Sequence, residues 1–280
     1  MLLHLKLFPS YEVKLRHGPL NGIMSDPGPI TIKGGKAAIE SETGPKFADL
    51  EHVPFQLGFR SRFAHQASTH HEFEFVYFEA PFTRGPGPGV LPAFKNCGPY
   101  KTWFTGIEDT SGFDNSTGED GIERVWNMMI AETQKSGEEW NWVGALGFSQ
   151  GTRVVSGLLL DQQRRQSQQD LPMSNGISGV GSLIFGVLFM GSGSPMQPEA
   201  GSALGNSDSH HERISSPTIH VHGLKDMHLT GGRKQLATWF THDSFIQWDM
   251  DYHHAMPWYK KDVIQLAGII RDTYQSSLSH

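Results

Sequence analysis

The sequence predicts an α/β fold with a mostly parallel central sheet and helices on both of its faces. Over the last two-thirds of the chain, short apolar runs of strand length alternate with segments whose apolar residues recur at helical spacing. The strand candidates are near-continuous apolar runs, as strands covered on both faces require. One of them, residues 142–148, joins the helix after it through Gly147-Phe148-Ser149-Gln150-Gly151, a sharp strand-to-helix turn.

The elements follow in chain order. Residues 1–50 are rich in Gly, Pro and isolated charges and form an atypical N-terminal segment, expected to belong to the same domain as residues 51–280. Short strands are expected there at 13–15 and 30–32. Phe73, Phe75, Val76, Tyr77 and Phe78 make an aromatic and β-branched run ended by Ala80-Pro81, which predicts a buried strand. Residues 85–98 are turn-rich and include GPGPG; the aromatic cluster Tyr100, Trp103 and Phe104 follows. A helix over 121–134 carries Ile122, Val125, Met129 and Ile130 on one side, and a helix over 152–163 carries Val154, Val155, Leu158 and Leu159. Residues 162–169, rich in Gln and Arg, are expected to be a solvated helix end. An apolar strand over 183–190 closes on Gly191-Ser192-Gly193, and a polar insert spans about 193–216. Strands at 218–222 and 245–248 and a last helix over 261–274, with Val263, Leu266, Ile270 and Tyr274 inward, complete the pattern.

At 280 residues the chain can bury a substantial core as one domain. A formal net charge of −6 offers no basic footprint for nucleic acid and no polybasic contact for anionic membranes. Cys97 is the only cysteine, so an internal disulfide is impossible and a reducing compartment is expected. His4 and Lys6 break the apolar start MLLHLKL, which argues against a secretory signal, and no run of about 18 apolar residues exists. A cytoplasmic location follows as the expectation, and Asn115-Ser116-Thr117 is then a chance glycosylation pattern.

The turn around Ser149 carries the chemistry. A serine on so tight a turn is exposed beside a helix N-terminus, and the amide of Gln150 can donate to an oxyanion forming on a substrate. As a nucleophile the hydroxyl needs a base, and the base needs an orienting carboxylate. Downstream, the strand Thr218-Ile219-His220-Val221-His222 runs into a loop ending at Asp226, and the next strand leads into Tyr252-His253-His254-Ala255-Met256-Pro257. Serine, acid and histidine stand in the chain order of an α/β-hydrolase. His253 competes with His254 for the base. Asp249 and Asp251 compete with Asp226, which is favoured because the acid usually comes from the preceding strand.

The blocks GFSQG, HVHGLKD and HAMP resemble the three catalytic blocks of the fungal FSH-type serine hydrolases. That family places a proline shortly after its histidine, which maps onto His254 and Pro257. The run Phe75–Phe82, GPGPGVLP, Gly98-Pro99-Tyr100 and Trp103-Phe104 add to a likeness that covers about residues 73–274. The resemblance implies a serine esterase or thioesterase, of the kind that releases or trims a polyketide, with Ser149, Asp226 and His254 catalytic. Its substrate would be an acyl ester or thioester, carried in the thioester case on the carrier protein of a polyketide synthase. Gln150 is the expected oxyanion donor, and Trp103 is expected to line the substrate entrance, with core packing the alternative. A broad carboxylesterase and a catalytically impaired fold that binds a synthase are the rival functions.

The N-terminus departs from this family. A strand should run into a Leu-His-Gly type of loop that supplies a second oxyanion amide. His17-Gly18 and Ile32-Lys33-Gly34-Gly35 are candidates, but Phe55-Gln56, resembling the helix that should follow closely, comes almost forty residues after the first. No cofactor or metal is expected. His220 and His222 alternate on a strand without a third ligand at metal spacing, and GPGPG lacks the Lys-Ser/Thr of a phosphate loop. His70-His71 and His210-His211 are expected on exposed loops, and Cys97 as a small buried thiol.

Overall fold

The computed structural model describes residues 2–7, 73–87, 91, 95, 98–104, 121–136, 141–168, 180–198 and 212–278. Strands β1 (Leu2–Leu7), β2 (Glu74–Phe78), β3 (Phe82–Arg84) and β4 (Tyr100–Thr102) precede helix α1 (Ile122–Ser136). Then come β5 (Asn141–Phe148), α2 (Gly151–Gln168), β6 (Phe185–Phe189), β7 (Thr218–Gly223), α3 (Leu229–Trp239), β8 (Phe245–Met250) and α4 (Lys260–Ser277). Among the described residues the main sheet has six strands in the order β2-β1-β5-β6-β7-β8, and β3 pairs with β4 as a separate hairpin.

The four strands β5 to β8 are parallel, as the alternation of strand and helix requires. Each strand divides its side chains between two cores. From β6, Leu188 joins one cluster with Val154, Val155, Leu158 and Leu159 of α2 and Ile122, Val125 and Met129 of α1. Val187 and Phe189 join the other, with Val263, Leu266 and Ile270 of α4. Helices therefore cover both faces, and the carboxyl ends of all four parallel strands meet at one edge of the sheet.

Strand β1 is not among the strands expected for residues 1–50. It lies between β2 and β5 and is antiparallel to both, with Leu2 opposite Gly147 and Leu7 opposite Asn141. Its C-terminal end is thus beside the start of β5, at the far edge from Ser149. A strand in this direction does not run straight into an oxyanion loop as the family pattern would have it. The expected strands at 13–15 and 30–32, His17-Gly18, residues 32–35, Phe55-Gln56, His70-His71, Cys97, residues 115–117 and His210-His211 lie outside the described residues.

The polar stretch after residue 161 is a helix end as expected, exposed at Gln166 and Ser167, but its first part is not solvated. It continues α2 to Gln168, and its first side chains are tethered to the following loops. Gln162 is 4% exposed; it donates to the carbonyl of Leu183 and accepts that residue's N–H. Gln163 receives the amide and hydroxyl of Ser215, and Arg164 pairs with Glu212 at 2.9 Å. These polar groups satisfy backbone at the entrances to β6 and β7.

Candidate active site

Ser149 sits between the end of β5 and the start of α2 with φ of 54°, one of two non-glycine residues with positive φ among those described. The surroundings impose this. Its N–H donates to the carbonyl of Phe189 at the end of β6 (2.9 Å), and its own carbonyl accepts the amide and hydroxyl of Thr152 (3.0 and 2.8 Å). A Cβ on Gly147 would strike the carbonyl of Gly151, so a side chain there would force the strand and helix apart.

The acid and histidine loops are fixed to each other just as firmly. Lys225 N–H donates to the carbonyl of Tyr252 (2.9 Å) and Leu224 N–H to that of Met250 (2.8 Å). At Gly223 an added Cβ would be 2.6 Å from the carbonyl oxygen of Tyr252 and 2.7 Å from that of His253. Tyr252 anchors the histidine loop. Its hydroxyl donates to Asp262 of α4 at 2.7 Å and accepts the amides of Trp258 and Tyr259. Burial, then the hydrogen bond to Asp262, pushes the phenol well above its ordinary pKa. Tyr252 has no role legible in the sequence; its only signal there is an aromatic residue directly before the paired histidines.

These constraints bring Ser149, His254 and Asp226 into one hydrogen-bonded chain. His254 Nε2 is 2.9 Å from Ser149 Oγ, and its Nδ1 is 2.8 Å from Asp226 Oδ2. The Asp226 side chain is 2% exposed and that of His254 28%. Burial alone would raise the Asp226 carboxyl, but the hydrogen bonds from His254 and from His228 N–H (2.8 Å) outweigh it, so its pKa falls below the ordinary value. An ionised Asp226 accepts a hydrogen bond from Nδ1–H, which leaves the Nε2 lone pair facing the serine hydroxyl.

The competing residues are engaged elsewhere. His253 Nδ1 is 3.1 Å from the carbonyl of Lys225. Asp249 meets His222, Arg233 and Gln247, and Asp251 meets Lys225. His220 packs edge-on against Phe240 with centroids 4.4 Å apart, and its Nε2 lies 3.2 Å from Thr218 Oγ1. Burial first, and His222 second, lowers its pKa from 6.5 to about 3.

Gln150 opens the helix after the serine, which places its main chain at the positive end of α2. Its side-chain oxygen accepts the amide of Trp103 at 3.0 Å and the hydroxyl of Thr102 at 3.2 Å. Trp103 itself is 3% exposed and belongs to the core cluster with Phe78 and Phe104. Its indole is packing, in place of the expected entrance wall, and its backbone is what reaches the serine turn.

Comparison with known proteins finds serine hydrolases and esterases. A family model described as "Serine hydrolase (FSH1)" matches residues 58–266. A protein of Aspergillus terreus named "Probable esterase" is 34% identical over 206 residues, covering 71% of this chain and 76% of that one. "Esterase pigG" of Monascus ruber is 30% identical, covering 70% and 78%. "Esterase mlcF" of Penicillium citrinum is 31% identical, covering 73% and 79%.

Proposed function

Since the chain belongs to the FSH1 family of serine hydrolases, we propose that Ser149 is its nucleophile, His254 its general base and Asp226 the carboxylate that orients the base. The observation that carries this is the continuous chain of hydrogen bonds from Asp226 through His254 to Ser149. His254 Nε2 takes the hydroxyl proton as Ser149 Oγ attacks the substrate carbonyl. The resulting imidazolium is held against the Asp226 carboxylate, and the Gln150 N–H donates to the oxyanion. Collapse expels the alcohol or thiol, which takes its proton from His254. Water then attacks the acyl-enzyme, with His254 again the base.

We further propose that the substrate is an acyl ester or thioester of the polyketide type, including one carried on a synthase carrier protein. The support is the likeness of GFSQG, HVHGLKD and HAMP to the FSH-type hydrolases and the relatives named as esterases. The same reading puts the enzyme in the cytoplasm, in keeping with its single cysteine. Among the described residues no helix is long and apolar enough to cross a membrane.

Labelling with a fluorophosphonate, followed by mapping of the modified peptide, tests the nucleophile. Modification at Ser149 is expected, and a folded protein that stays unlabelled would favour the impaired, synthase-binding reading. Hydrolysis of medium-chain acyl thioesters tests the substrate class, and activity confined to short oxygen esters would favour a broad carboxylesterase.

A further inference from the structure

The His228 backbone N–H helps hold Asp226 ionised, but its imidazole has no role in the chemistry above, although it stands at its centre. His228 follows Asp226 by two residues, at the N-terminal end of α3, and its ring meets that of His254 edge-on with centroids 5.2 Å apart. One ligand atom each from Asp226, His228 and His254 can be chosen so that all lie within 4.8 Å of one another. His228 and His254 are only partly buried, which leaves the cluster open to solvent on their side.

We propose that Asp226, His228 and His254 form a divalent-cation site, suited to Zn2+, whose occupation switches the hydrolase off. Two imidazoles and a carboxylate are a ligand set that zinc accepts, with water as the fourth ligand. Bonds of about 2.0 Å in a tetrahedron put ligand atoms about 3.3 Å apart. The His254 Nδ1 and Asp226 Oδ2 pair, at 2.8 Å, is already close to that spacing. Bringing the His228 nitrogen from within 4.8 Å to that spacing takes a side-chain adjustment of at most about 1.5 Å.

The inhibitory effect follows from proton positions and rests on the proposed roles of Ser149 and His254. Neutral His254 holds its one proton on Nδ1, shared with Asp226. A cation bound between Nδ1 and the carboxylate takes the place of that proton, which passes through solvent to Nε2. The imidazole stays neutral, but Nε2–H now points at Ser149 Oγ as a donor, and nothing remains to accept the serine proton.

The test uses full-length Ser149→Ala protein titrated with Zn2+ alone against a chromogenic chelator, so that binding is read without catalysis. One zinc per chain at this site is expected, weakened roughly tenfold or more by His228→Ala and by His228→Gln. Undiminished binding to both His228 variants would put the zinc among the chain's other histidines and overturn the proposal, as would no binding at all. In parallel, Zn2+ should inhibit thioester hydrolysis by the unmodified protein, reversibly by chelator. The inhibiting concentration should rise by the same factor in the His228 variants, each scored against its own chelated rate. His228-dependent binding without inhibition would overturn the switch. A chelated protein with no hydrolytic activity would instead overturn the hydrolase reading, while the binding result would still support the site.

Discussion

Gln150 Oε1 accepts the backbone N–H of Trp103 at 3.0 Å, which ties the residue after Ser149 to the end of the β3–β4 hairpin. The second bond, from the Thr102 hydroxyl at 3.2 Å, makes the same carbonyl a two-point anchor. The position of the serine turn and that of the aromatic segment 102–104 are therefore set together.

Gln150→Ala removes the one carbonyl oxygen that accepts both hydrogen bonds and leaves the Trp103 amide unsatisfied in a buried setting. A loss of about 1–3 kcal/mol in unfolding free energy is expected, measured by urea denaturation. Fluorophosphonate labelling of Ser149 should persist, since the main-chain amide at this position is retained. Complete loss of labelling in a folded variant would show that the side chain is needed at the reacting centre.

Trp103→Ala should cost stability by about 3–5 kcal/mol, because the indole is core. Acyl thioesters of short and long chain should then be affected alike. A loss confined to long chains, with the fold intact, would return Trp103 to the wall of the substrate entrance.

Ser149→Ala, His254→Ala and Asp226→Ala should each lower turnover by roughly a thousandfold or more while leaving circular dichroism unchanged. Combining any two should add little to Ser149→Ala alone, since the three act as a unit. His253→Ala should retain activity, because its ring is bonded to Lys225 and not to the serine. The reverse pattern for the two histidines would overturn the assignment of the base.

Acid should destabilise the fold through His220, whose pKa falls from 6.5 to about 3 on folding. Between those values the unfolded chain binds more protons than the folded one. The contribution is fully present above the unfolded pKa and is lost as pH falls, at up to about 1.4 kcal/mol per pH unit. Unfolding free energies from urea titrations at about pH 8 and about pH 5 should therefore differ by roughly 2 kcal/mol from this group. His220→Leu should flatten that dependence, and an unchanged slope would assign the sensitivity to other groups.

The strands β5 to β8 and helices α1, α2 and α4 were legible because each is an uninterrupted run of one period. So was the order of Ser149, Asp226 and His254, since each ends or follows a readable strand. Helix α3 was not, because Gly231-Gly232 dilutes its propensity; those glycines serve packing, with Gly232 pressed against the carbonyl of Gly191 and the ring of His222. The β3–β4 hairpin has only three residues a side, too few to show alternation. The Tyr252 hydroxyl, the side-chain anchor of Gln150 and the His228 ring meet partners that only the fold brings up, Asp262, Trp103 and His254, and none leaves a local pattern.

The place of β1 has a consequence for how the chain is made. It is an interior strand of the sheet, one in from the β2 edge, yet its partners Glu74–Phe78 and Asn141–Phe148 lie far downstream. At synthesis rates of about 5–20 residues per second, a nascent β1 waits on the order of ten seconds for its second neighbour. Throughout that interval a six-residue strand offers unpaired edges, the kind of template on which chains associate. Such long-range pairings also close slowly once the whole chain is free. Recombinant yield should accordingly depend on translation speed and on holdase chaperones more than on the stability of the finished fold.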